Sequence, residues 1–151
     1  MSLKIGFIGA GQMATALARG FVASQENNNG PTISFFDPSP EACNHFSKSI
    51  AAATLLADAP EVVATADIVF LAVKPQVLPA VLDSIATVVT TDVLLVSIAA
   101  GVTLDIICGR TGSDRAIRVM PNTPCLLGKA ATAFSPAGGA TATDCATVHN
   151  L

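Results

Sequence analysis

The chain has 151 residues and a formal net charge of −3; about half of it is apolar, 13% is charged, and Trp and Tyr are absent. That length holds one domain with a real core, and the lack of any basic block speaks against an extended nucleic-acid surface. No apolar run approaches the roughly 18 residues of a membrane span and no N-terminal stretch is built like a signal peptide, so a cytoplasmic, soluble protein is expected.

A first strand is predicted over residues 3–8, running directly into Gly9-Ala10-Gly11-Gln12-Met13-Ala14, a G-x-G-x-x-A pattern. In a dinucleotide-binding βα unit the first glycine permits the tight turn and the second lets backbone approach a pyrophosphate. The small third residue lets the helix pack close to the strand. An ordinary tight turn is the plain alternative, but a helix starting near Gln12 with Ala14, Leu17, Ala18, Phe21 and Val22 supplies the context a bare glycine pattern lacks. The cluster at residues 27–31 forbids continued helix.

A second strand at residues 32–36 is closed by Asp37-Pro38-Ser39-Pro40. Ser39 as N-cap and Pro40 at the first position open a helix over residues 41–50. Asp58-Ala59-Pro60-Glu61 opens another through about residue 66. The near-continuous apolar run at 68–73 reads as a strand covered on both faces, ended by Lys74-Pro75. An amphipathic helix is predicted over 77–89, a buried strand over 93–98 and a short helix over 104–108. A strand at 116–120 follows, before Pro121-Asn122-Thr123-Pro124. The Ala-, Thr- and Gly-rich stretch 129–151 reads as a strand around 131–134, a turn at 136–139 and a helix from about 143. Strand and helix alternate throughout, which predicts an α/β fold with a mostly parallel sheet and helices on both faces.

In an open α/β sheet the ligand lies outside the carboxyl ends of the strands. Five such ends, at residues 9–13, 37–39, 72–75, 98–101 and 120–124, carry small residues, prolines or polar turns. Asp37, 28 positions after Gly9, is the acid expected at an adenosine ribose; a turn aspartate is the plainer alternative. Lys74 is either a ligand contact or a surface lysine. Asn122 and Thr123, held between two prolines, can hydrogen-bond a ligand or satisfy their own backbone. The cysteines at 43, 108, 125 and 145 form no C-x-x-C and the two histidines have no ligand-like spacing to them, so reduced thiols and no metal are expected. No acid–base pair or activated nucleophile is visible and no catalytic residue is assigned. That suits hydride transfer, in which the cofactor carries the difficult chemistry.

Three segments, Phe70-Leu71-Ala72-Val73-Lys74-Pro75-Gln76, Val96-Ser97-Ile98-Ala99-Ala100-Gly101-Val102-Thr103-Leu104 and Arg118-Val119-Met120-Pro121-Asn122-Thr123-Pro124, follow the Ile5–Met13 start in order. Together they resemble the pyrroline-5-carboxylate reductase family, from Lys4 to the end of the chain. The resemblance implies a Rossmann-like, doubly wound domain over residues 1–151. It also implies hydride transfer from NADPH or NADH to the C=N bond of 1-pyrroline-5-carboxylate, giving L-proline in proline biosynthesis. Carried over, Ile8, Gly9, Ala10, Gly11, Gln12 and Met13 are expected at the pyrophosphate, and Asp37, Pro38 and Ser39 at the adenosine ribose. Ala72, Val73, Lys74 and Pro75 with Ile98, Ala99 and Ala100 line the cofactor, and Asn122 completes the set.

Two departures stand out. The family's reading loop often lacks an acid where Asp37 stands. Asp37 opposes a 2′-phosphate, no Lys or Arg lies between Asp37 and Phe46, and Ser39 still offers a hydrogen bond, so NADP and NAD both stay open. The family also continues into an all-helical C-terminal domain that builds the dimer and holds the substrate's carboxylate. This chain is expected to lack that domain, to stop before its own last strand, and to catalyse little alone; a homo-oligomer is expected of the full-length protein. The rival readings are a non-catalytic NAD(P)-binding or redox-sensing module and a β-hydroxyacid-dehydrogenase-type oxidoreductase, which needs a catalytic lysine on a later helix.

Overall fold

Short apolar strands followed by capped helices return the chain repeatedly to the same edge, and parallel pairing results. The computed structural model describes residues 2–23, 30–120 and 133–151. In chain order its elements are β1 (Lys4–Ile8), α1 (Gln12–Ala23), β2 (Thr32–Phe36), α2 (Pro40–Ser49), β3 (Thr54–Leu55), α3 (Ala59–Thr65) and β4 (Ile68–Leu71). Then come α4 (Leu78–Ile85), β5 (Leu94–Ser97), α5 (Leu104–Thr111), β6 (Ala116–Met120), β7 (Ala133–Pro136) and α6 (Ala142–Asn150). The seven strands lie in the order β3-β2-β1-β4-β5-β6-β7. The first six are parallel, and β7 runs antiparallel to β6. The expected α/β fold, a mostly parallel Rossmann-like sheet, is what forms.

Successive strand residues point to opposite faces, and each face has its own core. Ile5, Phe7, Ile33, Phe35, Phe70, Val96 and Val119 pack on the side of α1, α2 and α6. Ile8, Val69, Leu71, Leu95 and Ala116 pack on the side of α3, α4 and α5. Few as the aromatic residues are, they gather: the Phe7 ring lies 5.2 Å from Phe70, 5.7 Å from Phe46 and 6.2 Å from Phe21.

The capping signals work as their chemistry predicts. Ser39 Oγ accepts from the Ala42 N–H at 3.3 Å, and Asp58 Oδ1 from the Glu61 N–H at 2.8 Å. Gly112, at φ 72°, ends α5 in the left-handed conformation. Three elements differ from the sequence reading. Helix α4 ends at Ile85 rather than near 89, where the β-branched run Thr87-Val88-Val89-Thr90-Thr91 resists helix. Helix α5 continues to Thr111, and β3, only two residues long, has no periodicity to read. Residues 27–29 and Asn122 to Pro124 lie outside the described residues, as do 131 and 132 of the last predicted strand.

Side chains fasten two places. Asp67 closes the start of β1: the Lys4 N–H donates to its Oδ2 and its own N–H donates to the Lys4 carbonyl, both at 2.9 Å. At the far edge, Arg115 gives Nε and Nη2 to the two carboxylate oxygens of Asp144, at 3.0 and 2.7 Å. Its Nη1 reaches the carbonyls of Thr91 and Asp92. Asp144 in turn forms a capping box with Thr141 at the start of α6. The Arg115 guanidinium, helped by the bonds from Thr141, holds the Asp144 carboxyl down at about 2. Among the described residues no helix is long and apolar enough to cross a membrane.

Candidate functional site

The carboxyl ends of β1, β2, β4 and β5 lie side by side, so the turns that follow them meet along one edge. Gly9 takes φ +101°, and a Cβ there would lie 2.6 Å from the Ala72 carbonyl oxygen and 2.7 Å from its carbon. Glycine is thus required by the close approach of the β4 end as well as by the turn. The Gly9 N–H donates to the Phe36 carbonyl at 2.8 Å, tying the loop to β2. Gly11 is the opposite case: a Cβ there would meet nothing within 4 Å, so the loop opens onto free space beside it. Helix α1 starts directly afterwards, with Thr15 donating both its N–H and its hydroxyl to the Gly11 carbonyl. The N–H groups ahead of Thr15 precede the helical ladder, the arrangement that suits an anion.

Asp37 is held more firmly than a surface turn residue. Its Oδ2 accepts from the Ala10 N–H and its Oδ1 from the Ser39 N–H, each at 2.8 Å. Its carbonyl accepts from the Cys43 thiol at 3.2 Å. Beside it lies a cleft of about 440 Å³ on the α3–α4 side of the sheet. Ile8 and Gly9, Phe36 and Pro38, and Val73 form its floor. Ala59 and Pro60 at the start of α3, with Val77, Ala80 and Val81 of the α4 segment, form its walls. Asp58 and Ser84 are its polar residues. Such a slot suits a flat, mostly apolar ring system.

The predicted residues fall together. Ile8 to Met13, Asp37 to Ser39, Ala72 to Pro75 and Ile98 to Ala100 follow four neighbouring strands of one parallel run. Two ladder bonds carry the alignment past the strands, from the Ala72 N–H to the Ile8 carbonyl and from the Ile98 N–H to the Leu71 carbonyl. Ala10 and Ala99 are buried, while Gly11, Gln12, Lys74, Pro75 and Ala100 are exposed and open to a ligand. Asn122 lies outside the described residues. Sequence reasoning missed the cleft's α3 and α4 walls. In the sequence Asp58-Ala59-Pro60 reads only as a helix start; the two-residue β3 that brings it to the edge of the sheet carries no sequence signal. Among the described residues no three His, Cys, Asp or Glu gather as metal ligands do.

A family model described as "NADP oxidoreductase coenzyme F420-dependent" matches residues 4–101, from the start of β1 through the turn after β5. The chain belongs to this family. Within it, the chain is 44% identical to pyrroline-5-carboxylate reductase of Escherichia coli (strain K12), with 100% of the chain and 56% of that protein aligned. It is 37% identical to the Arabidopsis thaliana enzyme of the same name, with 99% and 54% aligned. Among solved structures, a Plasmodium falciparum pyrroline carboxylate reductase described with NADP bound matches at TM-score 0.80 and 29% identity, covering 97% of this chain and 52% of that one. The Coxiella burnetii pyrroline-5-carboxylate reductase matches at TM-score 0.87 and 26% identity, covering 98% and 54%. The chain spans about half the length of the curated relatives it matches.

Proposed function

We propose that the chain is the dinucleotide-binding part of a pyrroline-5-carboxylate reductase, an NAD(P)-dependent oxidoreductase of proline biosynthesis in the cytoplasm. The observation that carries this reading is 44% identity, over the whole chain, to the E. coli protein of that name. The site supports it: open space beside Gly11 leaves room for a pyrophosphate, and the start of α1 offers it N–H donors. The apolar cleft beside Asp37 suits an adenine.

On this reading Ile8 to Met13 would hold the pyrophosphate, and Asp37, Pro38 and Ser39 would border the adenosine ribose. Ala72 to Pro75, Ile98 to Ala100 and Asn122 would line the remainder. When bound, the reduced nicotinamide supplies the hydride for the C=N carbon of 1-pyrroline-5-carboxylate. The contribution of this chain is placement: the strand-end turns set where the cofactor lies, and placement governs such reactions steeply, about 1 Å of error costing ~100-fold. Holding the substrate's carboxylate and pairing subunits are assigned to the half of the relatives outside the match.

The carboxylate of Asp37 opposes a 2′-phosphate, so NADH is expected to bind at least as well as NADPH. Asp37→Ser is expected to move the ratio toward NADPH, by roughly 1–3 kcal/mol for one partly shielded repulsion. The test is a titration with both dinucleotides beside a proline-forming assay. The chain contains no Trp or Tyr, so nicotinamide fluorescence is read without their overlapping emission. Measurable binding with little turnover is the expected result. Binding of neither dinucleotide overturns the reading, and near-normal proline formation shows that the substrate site lies within these 151 residues.

A further inference from the structure

The carboxylate of Asp37 joins two loops that a bound dinucleotide would bridge. One oxygen accepts from the backbone of Ala10, inside the glycine loop, and the other from Ser39, at the start of α2, both at 2.8 Å. The residues on either side of Ala10 are constrained differently. Gly9 is fixed by its bond to Phe36 and its abutment on Ala72, whereas Gly11 faces open space. The Ala10 N–H is therefore the last anchored donor before the loop turns into α1. A peptide left free there must be ordered when ligand arrives, and ordering opposes binding.

We infer that Asp37 is a positioning residue for the pyrophosphate loop, distinct from any contact it makes with the ribose. This rests on the dinucleotide reading and goes beyond it: the loop that would hold the phosphates is pre-set by the residue that borders the sugar. The Ala10 N–H, spent on Asp37, is withdrawn from the phosphates, which are left with the donors at the start of α1. Exchanging Asp37 to alter cofactor choice therefore carries a second effect, a loss of affinity for NADH and NADPH alike.

The two roles separate in a ligand series. AMP and ADP-ribose share the adenosine ribose, but only ADP-ribose carries a pyrophosphate, so the ratio of their affinities cancels whatever Asp37 does at the sugar. Competition against NADH fluorescence gives that ratio for the 151-residue chain and its variants. In Asp37→Ser the preference for ADP-ribose over AMP is expected to fall about threefold to tenfold, the range for one lost hydrogen bond. In Asp37→Asn one acceptor oxygen remains for the two N–H groups; turned toward Ala10 it keeps that bond and gives up the one from Ser39, so the preference stays closer to wild type while the charge is removed equally. Thermal unfolding shows that the variants are folded. Independently of any variant's fold, the Ala10 amide hydrogen of the wild-type chain, bonded to Asp37, is expected to exchange with deuterium more slowly than that of Gly11, which faces open space. An unchanged affinity ratio in Asp37→Ser, or an Ala10 amide that exchanges as fast as that of Gly11, overturns the inference and leaves the dinucleotide reading standing. A wild-type chain that binds neither AMP nor ADP-ribose overturns that reading, and the inference with it.

Discussion

Around β1 the sheet is held by packing: Phe7 is fully buried and lies against the rings of Phe21, Phe46 and Phe70. At the β7 edge all four strand residues are exposed, and the following helix, which sets only the partly buried Cys145 and Val148 against the core, is fastened as well by the ion pair of Arg115 and Asp144. Hydrophobic burial is non-directional and scales with area, so it secures a region broadly. An ion pair secures two points in one geometry. The candidate site occupies the packed half, where the turns after β1, β2, β4 and β5 rest on a floor that does not depend on the charge state of an edge.

Substitutions at the two regions test that contrast. Phe7→Ala removes the centre of the ring cluster and is expected to cost about 3–5 kcal/mol, read by denaturant unfolding. A cost under about 1 kcal/mol would show that the cluster does not hold the centre. Gly9→Ala forces a side chain against the Ala72 carbonyl at a φ that alanine resists. A cost of about 2–4 kcal/mol is expected, together with lost dinucleotide binding; normal binding would separate Gly9 from the site.

Asp144→Asn is expected to cost roughly 1–3 kcal/mol at neutral pH, since it loosens a charge-assisted pair whose aspartate is nearly buried. The pH dependence has a definite sign. The folded-state value of about 2 lies below the ordinary 3.8. The contribution of Asp144 is therefore complete above about 3.8 and is lost as pH falls toward 2. Wild type and Asp144→Asn should converge in stability across that window, and a gap that persists at its acid end would place the helix anchor elsewhere. Arg110→Ala gives the smallest effect. Its two bonds to Asp83, at 2.9 and 2.8 Å, join side chains that are 43% and 59% exposed. Below about 0.5 kcal/mol is expected by thermal unfolding, as for most surface pairs.

Much of this arrangement was legible because it is local. Ser39-Pro40 and Asp58-Ala59-Pro60 announce helix starts through hydrogen bonds spanning three residues, and the 68–73 and 93–98 runs announce buried strands by composition. The glycine loop was legible because its backbone chemistry demands particular residues at fixed offsets. What escaped depends on contacts across the fold. The direction of β7 follows from its pairing with β6, and no periodicity encodes it. The cleft takes walls from α3 and α4, separated in sequence from its β1 floor by about 50 residues or more. Asp37 was read as an acid for a sugar, and its bond to Ala10, 27 positions away, needs the two strand ends brought together.

Carboxylates close both ends of β1. Asp67 binds the Lys4 N–H at its start, and Asp37 binds the Ala10 N–H just past its end. A strand ordinarily exchanges its amide hydrogens from its frayed ends inward. Here the terminal amides are themselves bonded to neighbouring segments, so deuterium reaches the interior of β1 chiefly when the sheet opens as a whole. The Ala10 amide, with its part-buried bond to Asp37, should exchange more slowly than the amides of exposed β7. A one-residue slip of β1 breaks both closures as well as turning Phe7 out of its core. The strand that begins the fold is thereby indexed to its neighbours at two points beyond the ladder.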